Sequence, residues 1–307
     1  MEVQPAPAVA PAKPSRRWKL FQQTENPVIL KELRGRMRKR QAVIVLTGYL
    51  ILIGLVVGSI YASLASESYY SRWDPEFRQT VGKAVFSTVV LMELFMVSLI
   101  GPSLTAGAIT SEREHQTFDI LRTTSLSARS LVLGKLGSSL VYLLLLIITA
   151  LPIEGIAFLL GGVGLEEMIV SSLMLVVTAL FYCALGLFFS SFMKRTNGAS
   201  VASYVTIVLS YVLLGVIAFV EAIVSVGHQS MESLVNLITW ILISTNPLLS
   251  AITSEVALVE DQNLWLSSQT AYGQTLLSPW IPYTVIYILL SILMIALSIR
   301  FVNRPDR

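Results

Sequence analysis

Charge is the scarcest feature of this 307-residue chain. Asp, Glu, Lys and Arg together make up 13% of it, while hydrophobic residues make up 54%. A soluble domain usually carries about 25% charged residues. The deficit excludes a soluble fold of this length and implies several membrane spans. Cysteine is almost absent. Cys183 stands alone inside an apolar run, so no intrachain disulfide can form and the redox compartment is left open. The two histidines, His115 and His228, have no second His or Cys at ligand spacing, which argues against a metal centre. No Gly-x-x-x-x-Gly-Lys-[Ser/Thr] loop occurs to cradle a nucleotide, and no Gly-x-Ser-x-Gly elbow to present a nucleophile. No catalytic residue is therefore assigned. Met1 to Pro14 is rich in Pro and Ala and lacks an apolar core, so residues 1–24 read as a disordered cytoplasmic tail and not as a cleavable signal.

What is present is a set of six apolar runs near 41–63, 84–108, 136–160, 168–192, 200–225 and 279–301. Each reaches the roughly 20 residues needed to cross a bilayer as a helix. The expected fold is an all-α polytopic membrane protein with six transmembrane helices. Its orientation follows from the basic residues. With both ends inside, the inner segments hold Lys13 to Arg40, then Arg113 to Lys135, then Lys194 and Arg195, then Arg300 to Arg307. Only Arg72, Arg78 and Lys83 fall outside, and residues 226–278 contain no Lys or Arg at all. That stretch is expected to be an external helical region. Within it, Leu234 to Ile252 is apolar enough to span, but Asn246-Pro247 would break a helix midway, so a re-entrant or surface-lying segment is expected. Trp18, Trp73, Trp265 and Trp280 read as interfacial anchors.

Residues 25–40 carry a second pattern. Asn26 can cap a helix and Pro27 suits its first turn. Ile29, Leu33 and Met37 then share one face, while Lys31, Arg34 and Arg38 lie around the rest. This describes an amphipathic helix on the inner leaflet, its basic groups meeting anionic headgroups and not nucleic acid. Between the second and third runs, Ser111 and Glu114 have capping-box spacing, which predicts a helix from Ser111 to Arg122. Physics alone leaves two readings of that loop, a partner-binding helix or a solvated connection. Thr124 to Ser127 reads as a break before the third span.

Charges inside the spans invite separate attention. Glu93 sits near the bilayer centre with no Lys or Arg at its depth, so it must face protein or water, or carry a proton. It is the candidate for a translocation pathway, with a structural hydrogen bond as the alternative. Glu154 and Glu221 fall near the outer ends of their spans and read as interface or vestibule residues. Gly54 and Gly58 form a Gly-x-x-x-Gly pair suited to close helix packing.

The loop residues carry a resemblance. Glu112-Arg113-Glu114, Thr117, Leu121, Thr124-Ser125-Leu126-Ser127 and Gly134-Lys135 look like the permease family of type-2 ATP-binding-cassette (ABC) transporters. Ala106-Gly107-Ala108-Ile109, the Ser190 to Thr196 loop and the Asn26-Pro27 to Arg34 segment fit as well, so the likeness covers most of the chain. Gln116 stands where that family often has Gly, and Ser125 where it often has Pro. The resemblance implies a multi-pass subunit of an exporter in the plasma or inner membrane. It also implies a cytoplasmic ABC ATPase partner that binds the ATP and Mg, and a second permease subunit, identical or paralogous. Glu112, Arg113, Glu114, Thr117, Phe118, Leu121 and Arg122 would then form the coupling helix against the ATPase. Two alternatives stand beside it: a proton-coupled secondary transporter using Glu93, or a non-transporting scaffold that binds a partner through 226–278. No inverted repeat with paired broken spans supports the first of these.

Overall fold

A computed structural model describes residues 32, 35, 40–65, 75–117, 127–225, 240–261, 265–269 and 274–303. The helices are α1 (Arg40–Ala65), α2 (Pro75–Thr105), α3 (Thr110–Glu114), α4 (Ala128–Leu159), α5 (Leu165–Phe192), α6 (Thr196–Ser225), α7 (Pro247–Asp261) and α8 (Trp280–Asn303). Among the described residues, five stretches are long and apolar enough to cross a membrane: 43–63, 75–114, 128–159, 165–192 and 280–303. At the place of the fifth expected run lies α6, a helix of 30 residues.

Helix ends overrun the apolar runs for local reasons. Pro75 opens α2 nine residues before the expected start, because proline is pre-set for the first helical turn and Glu76 suits the positive end of the helix dipole. Ser127 opens α4 by accepting a hydrogen bond from the Ser130 amide. The α2 extension is polar and the α4 extension carries Arg129 and Lys135, so the apolar runs begin inside the helices. In the 226–278 region, helical residues 240–245 stop at Asn246. Its Oδ1 then caps α7 through the Leu248 and Leu249 amides, with Pro247 at the first position. The sequence did not foretell the antiparallel ribbon that follows, β1 (Leu266–Gln269) paired with β2 (Gln274–Leu277), with Leu266 opposite Leu277. The expectation of a purely helical external region is corrected to that extent.

At the centre of the bundle stands α5, which packs against α2, α4, α6 and α8. Its apolar window is 61% buried, against 11% for α1. The main core gathers Leu94, Val97, Leu143, Leu175, Tyr182 and Leu187 from α2, α4 and α5. A second cluster joins Tyr49 and Ile53 of α1 to Val85, Val89 and Leu146. Tyr49 and Ile53 are the buried apolar residues α1 contributes among those described. Gly54 and Gly58, expected to pack helices, have no neighbour within 4 Å of a Cβ placed on them. Among the described residues they pack against nothing, because α1 turns that face away from the bundle.

Candidate functional site

One end of the bundle is organised around α3. Its position begins with a close crossing of α2 and α5. A Cβ on Gly186 would lie 2.2 Å from Thr105 Oγ1 and 3.1 Å from the Pro102 Cα, so only glycine admits this approach. One turn further along α5, Ser190 comes beneath the start of α3. Helix starts leave amide donors without partners, and Ile109, the residue before α3, supplies no side-chain cap. Ser190 takes that role from another helix, its Oγ accepting from the amides of Ile109 (2.9 Å) and Thr110 (3.1 Å).

Each charged residue of α3 then binds a different element. Glu112 Oε1 meets Lys135 Nζ of α4 at 2.7 Å, and the same ammonium holds Glu32 Oε1 at 2.9 Å. The Ser138 hydroxyl donates to Glu32 Oε2 at 2.9 Å. Lys135 is 4% exposed. One buried cation therefore joins the 25–40 segment, α3 and α4. Arg113 donates to the Met193 carbonyl at the α5–α6 corner (3.2 Å). Glu114 caps α6, accepting from the Thr196 amide at 2.9 Å and the Thr196 hydroxyl at 2.8 Å. These bonds, the amide first, hold its carboxyl below the ordinary carboxylate value.

The capping box expected between Ser111 and Glu114 is therefore corrected. Helical hydrogen bonding carries on from α2, with the Ser111 amide on the Gly107 carbonyl. Glu114 is occupied by α6 instead. The expected single helix from Ser111 to Arg122 is corrected as well. It closes at Glu114, and Gln116 has φ 58°, the left-handed region that favours glycine. The departure from the Gly common in the resembled family falls at the residue whose backbone asks for one. The Thr117 amide returns to the Glu112 carbonyl at 2.9 Å and closes the turn. Phe118, Leu121 and Arg122 lie outside the described residues, as do Lys31, Arg34 and Arg38.

Within the membrane-level core, Glu93 is fully buried and accepts the Tyr49 hydroxyl at 3.0 Å. Glu154 was expected at an interface or vestibule. It is instead 1% exposed and lies beside Glu93. The side chain of Glu221 lies outside the described residues.

Sequence reasoning did not single out Ser138, and it met Glu32, Lys135, Ser190 and Thr196 only inside motifs of the resemblance, with no role assigned to them. One signal was available for Lys135, a lysine seven residues beyond a helix cap at the edge of an apolar run. Such a charge is retained when a carboxylate waits for it. Nothing local marks Ser190, whose value depends on α2 crossing at Gly186.

The model of the ABC-2 family transporter proteins matches residues 26–302. Compared with curated proteins, the sequence has no match. The matched span contains α3, its partners and every apolar helix described above, so this multi-pass membrane chain belongs to the ABC-2 family of transporter proteins.

Proposed function

We propose that the chain is the membrane-spanning permease subunit of an ATP-driven ABC exporter, with six spans and both ends in the cytoplasm. It sits in the plasma or inner membrane and pairs with a second permease. ATP and Mg bind a separate cytoplasmic ATPase, and this chain performs no hydrolysis. The observation that carries the reading is the set of bonds made by α3. A push on the loop that contains it reaches α4 through Glu112–Lys135, the α5–α6 corner through Arg113 and α6 through Glu114. Those residues serve as transmission inside the permease. The coupling surface itself then belongs to the turn at Gln116 and to Phe118, Leu121 and Arg122 beyond it.

The transport step follows as a shift between inward- and outward-facing arrangements, biased by the ATPase cycle. Between α2 and α6 runs an apolar groove lined by Leu91, Phe95, Val208 and Val212, with the hydroxyls of Ser98 and Tyr204 on its wall. It suits a hydrophobic cargo.

Two measurements test the reading. Purified in mild detergent from its own cells, the chain brings down a nucleotide-binding subunit. Alone it turns over no ATP, and robust hydrolysis by the isolated chain would sink the proposal. Within the complex, Lys135→Met separates ATP use from transport, because two carboxylates lose their shared cation. The same change destabilises the chain by about 3 kcal/mol, the low end for breaking a buried pair, since Glu32 and Glu112 keep 22% and 23% exposure. Lys135→Arg restores both charge contacts and with them the coupling. Equal loss in Arg and Met variants argues against an ionic role.

A further inference from the structure

The cytoplasmic junction leaves one buried polar group unused. Glu93 on α2 and Glu154 on α4 are 0% and 1% exposed and lie beside Val89, Val90, Leu146, Ala150 and Ala157. The Tyr49 hydroxyl of α1 reaches Glu93 Oε1. The two carboxyls lie close enough to repel, and Oε2 of each has no hydrogen-bond donor among the described residues. A carboxylate oxygen can only accept. Two ionised carboxylates side by side in an apolar pocket repel, and a proton held between them removes one charge and supplies the missing donor.

Among the described residues, the surrounding elements bring no cation to the pair. The titratable group facing it from α1 is Tyr49, and from α4 it is Glu154 itself. On α2, Lys83 stands ten residues away, roughly 15 Å along the axis, and acts on Glu167 at the start of α5. The described ion pairs of the chain are those of Lys135, at the other end of the bundle.

We propose that Glu93 and Glu154 form a proton-binding site, one proton shared between the two carboxyls beneath the Tyr49 hydroxyl, and that the occupied site latches α1 to α2 and α4. The latch matters because α1 is the least embedded of the described spans, with Tyr49 and Ile53 as its buried anchors. Removing the proton leaves two charges facing each other, and α1 is the element that can move away. This site does not depend on the ATPase reading, since it is measurable in the isolated chain.

The full chain, purified in detergent, carries the test. Infrared difference spectra of wild type at neutral pH show a carboxylic-acid C=O band that disappears or shifts in Glu93→Gln and in Glu154→Gln. Wild-type thermal stability falls by several degrees as pH is raised through the alkaline range. The step moves or vanishes in both variants, where an amide N–H supplies the missing donor. Absence of the acid band in wild type overturns the proposal. So does an alkaline step identical in wild type and both variants, or stabilisation that tracks added Na⁺ or K⁺ at constant ionic strength and not pH. If one variant fails to fold, the other variant and the wild-type band still decide.

Discussion

Gln116 shows how much a single position can hold. A side chain at φ 58° costs about 1 kcal/mol relative to glycine, because Cβ crowds the following carbonyl. Gln116→Gly is expected to stabilise the chain by about 0.5–1 kcal/mol, less the added freedom of the unfolded state. Gln116→Val should destabilise it, and thermal unfolding in detergent distinguishes the two. Glu114 supplies the pH-dependent counterpart. Its carboxyl is held below the ordinary value by Thr196, so the folded chain binds this proton less readily than the unfolded one. The contribution is therefore fully present above the unfolded carboxylate value and is lost as pH falls through the folded one. Acidification should expose the Thr196 amide to hydrogen exchange. In Glu114→Gln that acid-dependent step should be missing. The sequence marked Gln116 only as a departure from the Gly of the resembled family, and it left the bond from Thr196 to Glu114 unmarked because that partner lies 82 positions away.

Among the elements, the crossing of α2 and α5 sets the geometry of the junction. Gly186 looks like one more glycine in an apolar run, and nothing in its neighbours marks it. Its role exists only because Thr105 and Pro102 arrive from α2. Gly186→Ala should force the helices apart, costing about 1–3 kcal/mol as an overpacked contact. It should also weaken the bonds from Ser190 to α3, read as faster exchange of the Ile109 and Thr110 amides. A variant with unchanged stability and exchange would refute the close-approach argument. The Gly54–Gly58 pair is the converse. Its spacing was plain in the sequence, yet it has no partner among the described residues, because spacing states that a helix can be approached and not by what.

For the whole molecule, the asymmetry of basic residues makes a prediction about sidedness. Lys194 is exposed at the α5–α6 corner, and Trp265 is exposed before the ribbon. The native Cys183 is buried and should stay silent to thiol reagents. With the proposed orientation, a membrane-impermeant maleimide labels Trp265→Cys in intact cells. It labels Lys194→Cys only after permeabilisation, and the reverse pattern would invert the topology. A positional bias of Lys and Arg is readable without coordinates because it is enforced during insertion, before the helices pack.

Composition and order along the chain were enough to determine a polytopic helical membrane protein and the family resemblance. The apolar runs marked most spans, since a backbone in lipid must satisfy itself as a helix and a run of the right length has no other use. Hydropathy could not register the charged turns that open α2 and α4, nor the short ribbon after α7. What the residues of the Glu112-Arg113-Glu114 motif do was decided by tertiary structure alone. Each carboxylate and the guanidinium selects a partner on another helix, and partner choice is a property of which surfaces meet in space. The same holds for Glu93. Its sequence neighbours declared it an isolated charge, and only the packing of α4 against α2 brought Glu154 to meet it.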